Sequence, residues 1–235
     1  MAGETIKTEA ICLDIRPWSR TSHIVSWLTP AGKVATVVKG AVRPKSQFLG
    51  QYDLNYTCEI LYYARAKGEL HALRECAPKE LRENLRGDYR ALALAGYFRM
   101  LVADLAPAGD ECRAWFELLS SSLDSLASPV SRLSSFVAFE LKVLELAGLK
   151  PDFSGYDREA DWSAFSIERG AFDGNGGRLV RVSRDVADYL SHPSCPAKNL
   201  QTPLDAARVI GVFYQFHLDC ASDMRRSVLS LISEN

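Results

Sequence analysis

Between Asp14 and Asp53 the chain carries no carboxylate, while Arg16, Arg20, Lys33, Lys39, Arg43 and Lys45 supply six cations. A run of one sign is suited to phosphate. Each cation that neutralises a phosphate releases condensed counterions, so binding weakens as salt rises. Trp18, Trp27, Phe48 and Tyr52 are interleaved with these cations. Aromatic faces stack on unpaired bases, the usual hold on single-stranded nucleic acid. Trp27 lies within an apolar run and is expected in the core. For Trp18, beside Pro17 at a strand end, core filling and stacking both stand open. Lys39-Gly40-Ala41-Val42-Arg43-Pro44-Lys45-Ser46 holds three of the cations. Gly40 permits an unusual backbone angle and Pro44 stiffens the loop. Backbone amides near Gly40 could join Lys39, Arg43 and Lys45 around a phosphate. The competing reading is a basic surface loop with no ligand.

Other chemistries lack their residues. Cysteines stand at 12, 58, 76, 112, 195 and 220, without a CxxC, and His23, His71, His192 and His217 do not cluster with them. His192 and Cys195 are a lone pair. A structural zinc site needs about four such ligands, so free thiols, no metal and no cofactor are expected. No nucleophile motif, Walker-type loop or HExxH occurs. Gly174-Asn175-Gly176-Gly177 reads as a flexible turn and Ser120-Ser121-Ser122 as a polar helix face. A non-enzymatic protein is expected. No apolar run approaches the about 18 residues of a membrane span, and Met1 to Glu9 is too polar for a signal peptide. The expected location is the cytoplasm.

These cations need a scaffold, and the composition permits one. The 235 residues are 47% hydrophobic and 24% charged, enough to bury a core and unlike a disordered chain. The net charge of −1 conceals a split. Residues 1–80 hold 11 Lys and Arg against 8 Asp and Glu, a net of +3, and residues 81–235 hold 17 against 21, a net of −4.

Residues 1–80 read as five strands. Ile11, Leu13 and Ile15 alternate with polar neighbours, Ile24 to Leu28 is a second run, and Val34 to Val38 a third. Thr29-Pro30-Ala31-Gly32 joins the second and third as a hairpin. Tyr52 to Tyr63 is a long fourth run, Ala66-Lys67-Gly68 a tight connection, and Glu69 to Cys76 the fifth. Five short strands with one irregular segment fit a Greek-key barrel of the oligonucleotide-binding (OB) type.

Near Pro78 the period becomes helical, from Leu81 to Leu105, and Pro107-Ala108-Gly109 ends that helix. A second helix carries Trp115 to Leu126. A third is punctuated by Ser128, Pro129 and Gly148. Ser183 can cap a short helix to Leu190, and Thr202-Pro203 opens one long final helix through Leu229. Residues 81–235 therefore form a mainly helical domain, within which 151–182, rich in Gly and isolated aromatics, is an inserted loop or hairpin. The overall class is α+β.

The same residues carry a family resemblance. Ala10-Ile11-Cys12-Leu13, Arg16-Pro17, Ser22-His23-Ile24-Val25, the Thr29 to Lys33 turn and Lys39 to Ser46 resemble the amino-terminal domain of the RecO family of bacterial recombination mediators. Phe139-Glu140-Leu141 and Ala147 to Asp152 match its helical part more loosely. The resemblance implies an OB barrel followed by a helical domain. It also implies binding of single- and double-stranded DNA, strand annealing, and help in loading recombinase onto DNA coated by single-strand-binding protein. The implied partners are RecR and the acidic carboxy-terminal tail of single-strand-binding protein. Many members bind zinc through two CxxC pairs. Here Ser154 to Glu159 and Asp173 to Gly177 hold no cysteine, so no zinc is expected and Trp162, Phe165 and Phe172 should pack the insertion.

The expected DNA-binding residues are Arg16, Trp18, Arg20, Lys33, Lys39, Gly40, Arg43 and Lys45. Arg99, Arg132 and Lys142, on helices rich in Leu and Phe, are candidates for an acidic tail, or else ordinary solvated faces. Alternative functions are an OB-fold protein-interaction adaptor and an RNA-binding barrel, because such barrels do not reveal their polymer.

Overall fold

The computed structural model describes residues 4–65, 70–109, 112–126, 132–174, 177–192, 199–218 and 222–233. The Ala66-Lys67-Gly68 connection, the Ser128 cap with Pro129, Asn175-Gly176, Cys195 and Cys220 lie outside these residues. The chain forms two compact units, Met1–Ala127 and Ser128–Asn235.

The first unit is built on a closed barrel in the order β1-β2-β3-β5-β4. Its strands are β1 (Thr5–Ser19), β2 (Ser22–Thr29), β3 (Gly32–Val38), β4 (Thr57–Tyr63) and β5 (Leu70–Glu80). The lower half of β1 pairs with β4 and its upper half with β2, both antiparallel. A parallel pairing of β3 with β5 closes the ring. This is the OB topology. Trp27 is wholly buried, with its indole N–H donating to Thr36 Oγ1 at 2.8 Å. Ala10 and Cys12 of β1 join Trp27 in the barrel interior. Ile11 and Leu13 are buried too, on the strand that α1 contacts. The β2–β3 turn follows its sequence: Thr29 Oγ1 donates to the Gly32 carbonyl at 2.8 Å and accepts from Ala31 N at 3.2 Å.

The fourth strand is shorter than its alternating pattern predicts. Tyr52 to Tyr56 is a turn, in which Asn55 has a φ of 67° that no strand tolerates. Leu54 is accordingly exposed, while Tyr56, Cys58, Ile60 and Tyr62 face the core.

A 3-10 turn (Glu83–Gly87) leads into α1 (Tyr89–Leu105), followed by α2 (Cys112–Ser125). Asp88 caps α1 by accepting from Arg90 N and Ala91 N at 3.0 and 3.1 Å. Arg82 ties helix to barrel. Its guanidinium donates to the Asn55 carbonyl (2.7 Å), Thr57 Oγ1 (2.9 Å), Ser120 Oγ (3.2 Å) and Asp124 Oδ1 (2.7 Å).

The second unit holds α3 (Arg132–Leu146), β6 (Trp162–Ser166), β7 (Leu179–Ser183), α4 (Arg184–Ser191), α5 (Gln201–His217) and α6 (Ser222–Ser233). The expected single final helix is thus two. Neither Gly nor Pro stands at the break, so apolar periodicity runs across it unmarked. Arg225 of α6 reaches Glu140 of α3, with Nε–Oε1 at 2.8 Å and Nη2–Oε2 at 2.7 Å, and also donates to the Ala207 carbonyl of α5 at 2.6 Å. Gly211 permits this passage, since an added Cβ would run into the guanidinium. Ser183 precedes α4 as expected, but its side chain makes no capping bond.

The 151–182 insertion is an antiparallel hairpin of β6 and β7. Phe165 stacks on Phe153, with centroids 4.8 Å apart, and Phe172 meets Phe153, Tyr156 and Phe165 edge-on. Trp162 does not share in this packing. It lies on the hairpin's open face, 47% exposed, with the Arg181 guanidinium 3.9 Å above its ring.

Candidate nucleic-acid interface

The basic loop is a rigid element. Arg43 N donates to the Gly40 carbonyl (3.1 Å), Ser46 N to Arg43 (2.9 Å), Leu49 N to Ser46 (3.2 Å) and Gln51 N to Phe48 (3.1 Å). These are four turns in succession. Gly40 has a φ of 67°, and a Cβ there would press on the Arg43 stem at 3.3 Å. Ala41 and Phe48 are buried in the barrel core and pin the loop from below. Its charged residues are thereby turned outward: Lys39, Arg43 and Lys45 are exposed.

Two further bonds fasten this loop to the β1–β2 connection. Gly40 N donates to Ser22 Oγ (3.3 Å) and Val42 N to the Thr21 carbonyl (3.4 Å). Trp18 and Arg20 flank that connection. The same end of the barrel therefore presents Trp18, which is 61% exposed, with Arg20, Lys39, Arg43 and Lys45. None of these four cations has an ion pair among the described residues. Together they form an uncompensated positive surface beside one free aromatic face.

Two expected members stand apart. Lys33 is the second residue of β3, five residues before Val38, so it sits roughly 17 Å along the strand from the loop. Its Nζ donates to the Ala103 carbonyl of α1 at 2.9 Å. Arg16 is near the cluster but is held by Asp14 at 2.5 Å. The sequence did not point to Arg74 of β5. The loop residue Gln47 donates to its carbonyl at 2.9 Å, and its guanidinium lies over the Tyr63 ring, 5.3 Å from the centroid. Only strand pairing puts Arg74 beside a loop 27 residues earlier.

The three candidates for tail binding divide between the units. Arg99 of α1 donates to the Leu13 carbonyl of β1, and burial lowers its pKa. Arg132 and Lys142 lie on α3, where Lys142 pairs with Glu145 at 3.1 Å. Cys12, Cys58, Cys76 and Cys112 are free thiols. Among the described residues no group of three or more His, Cys, Asp or Glu could hold a metal, and no helix is long and apolar enough to cross a membrane.

Comparison with known proteins agrees with the fold. Residues 1–82 match the family model for the recombination protein O N terminal, and residues 86–221 match that for its C terminal. A protein of Rhodopirellula baltica named DNA repair protein RecO is 32% identical over 220 residues, covering 83% of this chain and 79% of its own. One of the same name from Alkaliphilus metalliredigens is 32% identical over 173 residues, covering 70% and 69%. Another, from Roseiflexus, is 28% identical over 151 residues, and this chain spans 53% of its length. With both halves matched in order, the chain belongs to the RecO family of recombination and DNA repair proteins.

Proposed function

We propose that the chain is a non-enzymatic mediator of recombinational repair. It binds single- and double-stranded DNA through the barrel, anneals complementary strands and assists recombinase loading on DNA coated by single-strand-binding protein. The supporting observation is the exposed set Lys39, Arg43 and Lys45, on a loop that buried Ala41 and Phe48 hold in place, with Arg20 on the β1–β2 connection beside it and no ion pair to any of the four among the described residues. Annealing needs no bond chemistry. Cations between two strands screen their repulsion, and Watson–Crick pairing supplies the driving energy. Gly40 lets the loop turn, but its amide and those of Val42 and Arg43 donate within the protein, so the cations carry the phosphate contacts, and Trp18 offers a face for an unpaired base. Residues 1–80 form the DNA-binding domain in this reading, and residues 81–235 the helical domain that meets proteins.

The protein partners follow from the family: RecR and the acidic tail of single-strand-binding protein. Of the three cations considered for that tail, Arg132 and Lys142 share α3, whereas Arg99 is turned to β1. Its place is the cytoplasm, at the nucleoid during repair.

Replacing Lys39, Arg43 and Lys45 together by Ala tests the reading. Loss of three phosphate contacts should flatten the plot of log affinity against log salt by about 2 for a single strand. Unchanged affinity and slope would remove this surface from the proposed function. A wild-type affinity insensitive to salt would favour the protein adaptor instead.

A further inference from the structure

The β6–β7 hairpin has an inner and an outer face. Ser163, Phe165, Val180 and Val182 alternate inward, and Phe165 and Val182 are buried there. Trp162, Ala164, Arg181 and Ser183 lie on the outer face, with Trp162 paired to Ser183 and Ala164 to Arg181. Each large residue therefore stands opposite a small one that cannot cover it. The two large ones meet on the diagonal, a separation that long side chains span. There the Arg181 guanidinium rests 3.9 Å from the Trp162 ring centroid, and nearly half of Trp162 still stays open to solvent.

The charges around this ring are uncompensated. Among the described residues Arg181 has neither an ion pair nor a hydrogen bond, so its contact with the indole is its one named interaction. Arg178 is exposed and has no ion pair among those residues. Arg184, also exposed, donates to the Arg158 carbonyl at 3.3 Å and not to a carboxylate. Nearby acids are engaged elsewhere: Glu168 accepts from Gly177 N at 3.1 Å, and Asp173 pairs with Arg169. A flat ring with an open side beside unpaired guanidiniums is the combination that holds unpaired strands. The base stacks and the cations neutralise its phosphates. A merely carboxylate-rich peptide would need the cations and not the ring.

We propose that the outer face of the β6–β7 hairpin is a second site for an unpaired nucleic-acid strand. A base stacks on the side of Trp162 that Arg181 leaves open, and Arg181, Arg178 and Arg184 meet the phosphates beside it. This rests on the reading that the chain handles single strands, and it adds a hold on the unit that does not contain the basic loop. Annealing brings two strands to one protein, and the two surfaces give each strand its own.

The test uses the full chain, as wild type and as the triple loop variant, with two strands of 15 residues, one of thymidine and one of the same length without bases. The indole N–H resonance of Trp162, identified by its loss in Trp162→Leu, should shift when the thymidine strand is added to either protein. Trp162→Leu keeps an apolar residue at an exposed strand position. Made in the triple loop variant, it should bind the thymidine strand about ten-fold more weakly than its parent, a change of about 1.4 kcal/mol, and the baseless strand equally well. Arg181→Gln should weaken both strands and lower the salt slope by about 0.7. An indole resonance that the thymidine strand leaves unmoved, or a Trp162→Leu variant that binds both strands as its parent does, overturns the site. A shift on adding an acidic peptide, with none on adding the strand, overturns it in favour of a protein partner. If the triple loop variant binds like wild type while Trp162→Leu keeps its selective loss, the loop reading fails and the hairpin site stands.

Discussion

Glu140 is wholly buried and Arg225 nearly so, which makes their pair the most consequential charge interaction of the second unit. Replacing Glu140 by Leu removes both acceptors of the bidentate contact and leaves the Arg225 guanidinium in the interior beside the Ala207 carbonyl and the Phe136 and Tyr214 rings. Two hydrogen bonds to a charged group are worth about 1.5–3 kcal/mol each. Breaking one side of a buried pair costs about 3–5 kcal/mol, because the surviving charge is uncompensated. The two routes agree on a loss of about 4 kcal/mol. The double variant Glu140→Leu with Arg225→Met removes both charges and retains apolar volume, so it should recover most of that loss. A urea titration read by hydrogen–deuterium exchange at α3 and α6 follows this unit separately from the barrel. A loss below about 1 kcal/mol for Glu140→Leu, or a double variant no more stable than the single one, would refute the reasoning.

Three further outcomes follow from the same structure. Gly211→Ala sets a methyl against the Arg225 guanidinium and should destabilise the second unit by about 1–3 kcal/mol, read by the same exchange experiment. Arg82→Met leaves the Asn55 carbonyl and Thr57 Oγ1 without their buried donor and should cost the first unit about 3 kcal/mol in urea unfolding; a change under about 1 kcal/mol would contradict its knitting role. Burial pushes the Cys12 thiol well above its ordinary value. The stability this represents is fully present below the unfolded thiol pKa of about 8.5 and declines as pH rises above it, by about 2 kcal/mol at pH 10. Cys12→Ala should therefore show a flatter stability profile between pH 8 and 10, and identical profiles would count against the burial argument.

Much of the barrel was legible because its signals are local. Thr29-Pro30-Ala31-Gly32 encodes a hairpin in adjacent residues, and Gly40 marks the left-handed turn that opens the basic loop. The missed features depend on distant partners. Tyr52 to Tyr56 alternates like a strand, but Arg82 draws the Asn55 carbonyl into a turn. Lys33 shares the acid-free interval yet stands at the far end of its strand, because counting cations along a chain ignores where a hairpin sends them. Arg225 and Glu140 look like surface charges until three helices are packed around them. Trp162 reads as core by residue type, but a two-stranded hairpin has two faces and Phe165 occupies the inner one.

The division of β1 between two partners bears on the order in which the chain becomes structured. The β2–β3 hairpin joins neighbours and can form within microseconds, whereas pairing Ile11 with Thr57 closes a span of 46 residues. Closure by β3 and β5 follows later still, and the Asp124 and Ser120 contacts of Arg82 arrive last. During synthesis the nascent barrel therefore exposes an unpaired β1 edge until β4 has been made, and the apolar wall of Ile11 and Leu13 until α1 has followed. A fragment ending at the strand-to-helix junction would keep that wall uncovered for good. Such a fragment should aggregate where one extended to Ala127 stays monomeric.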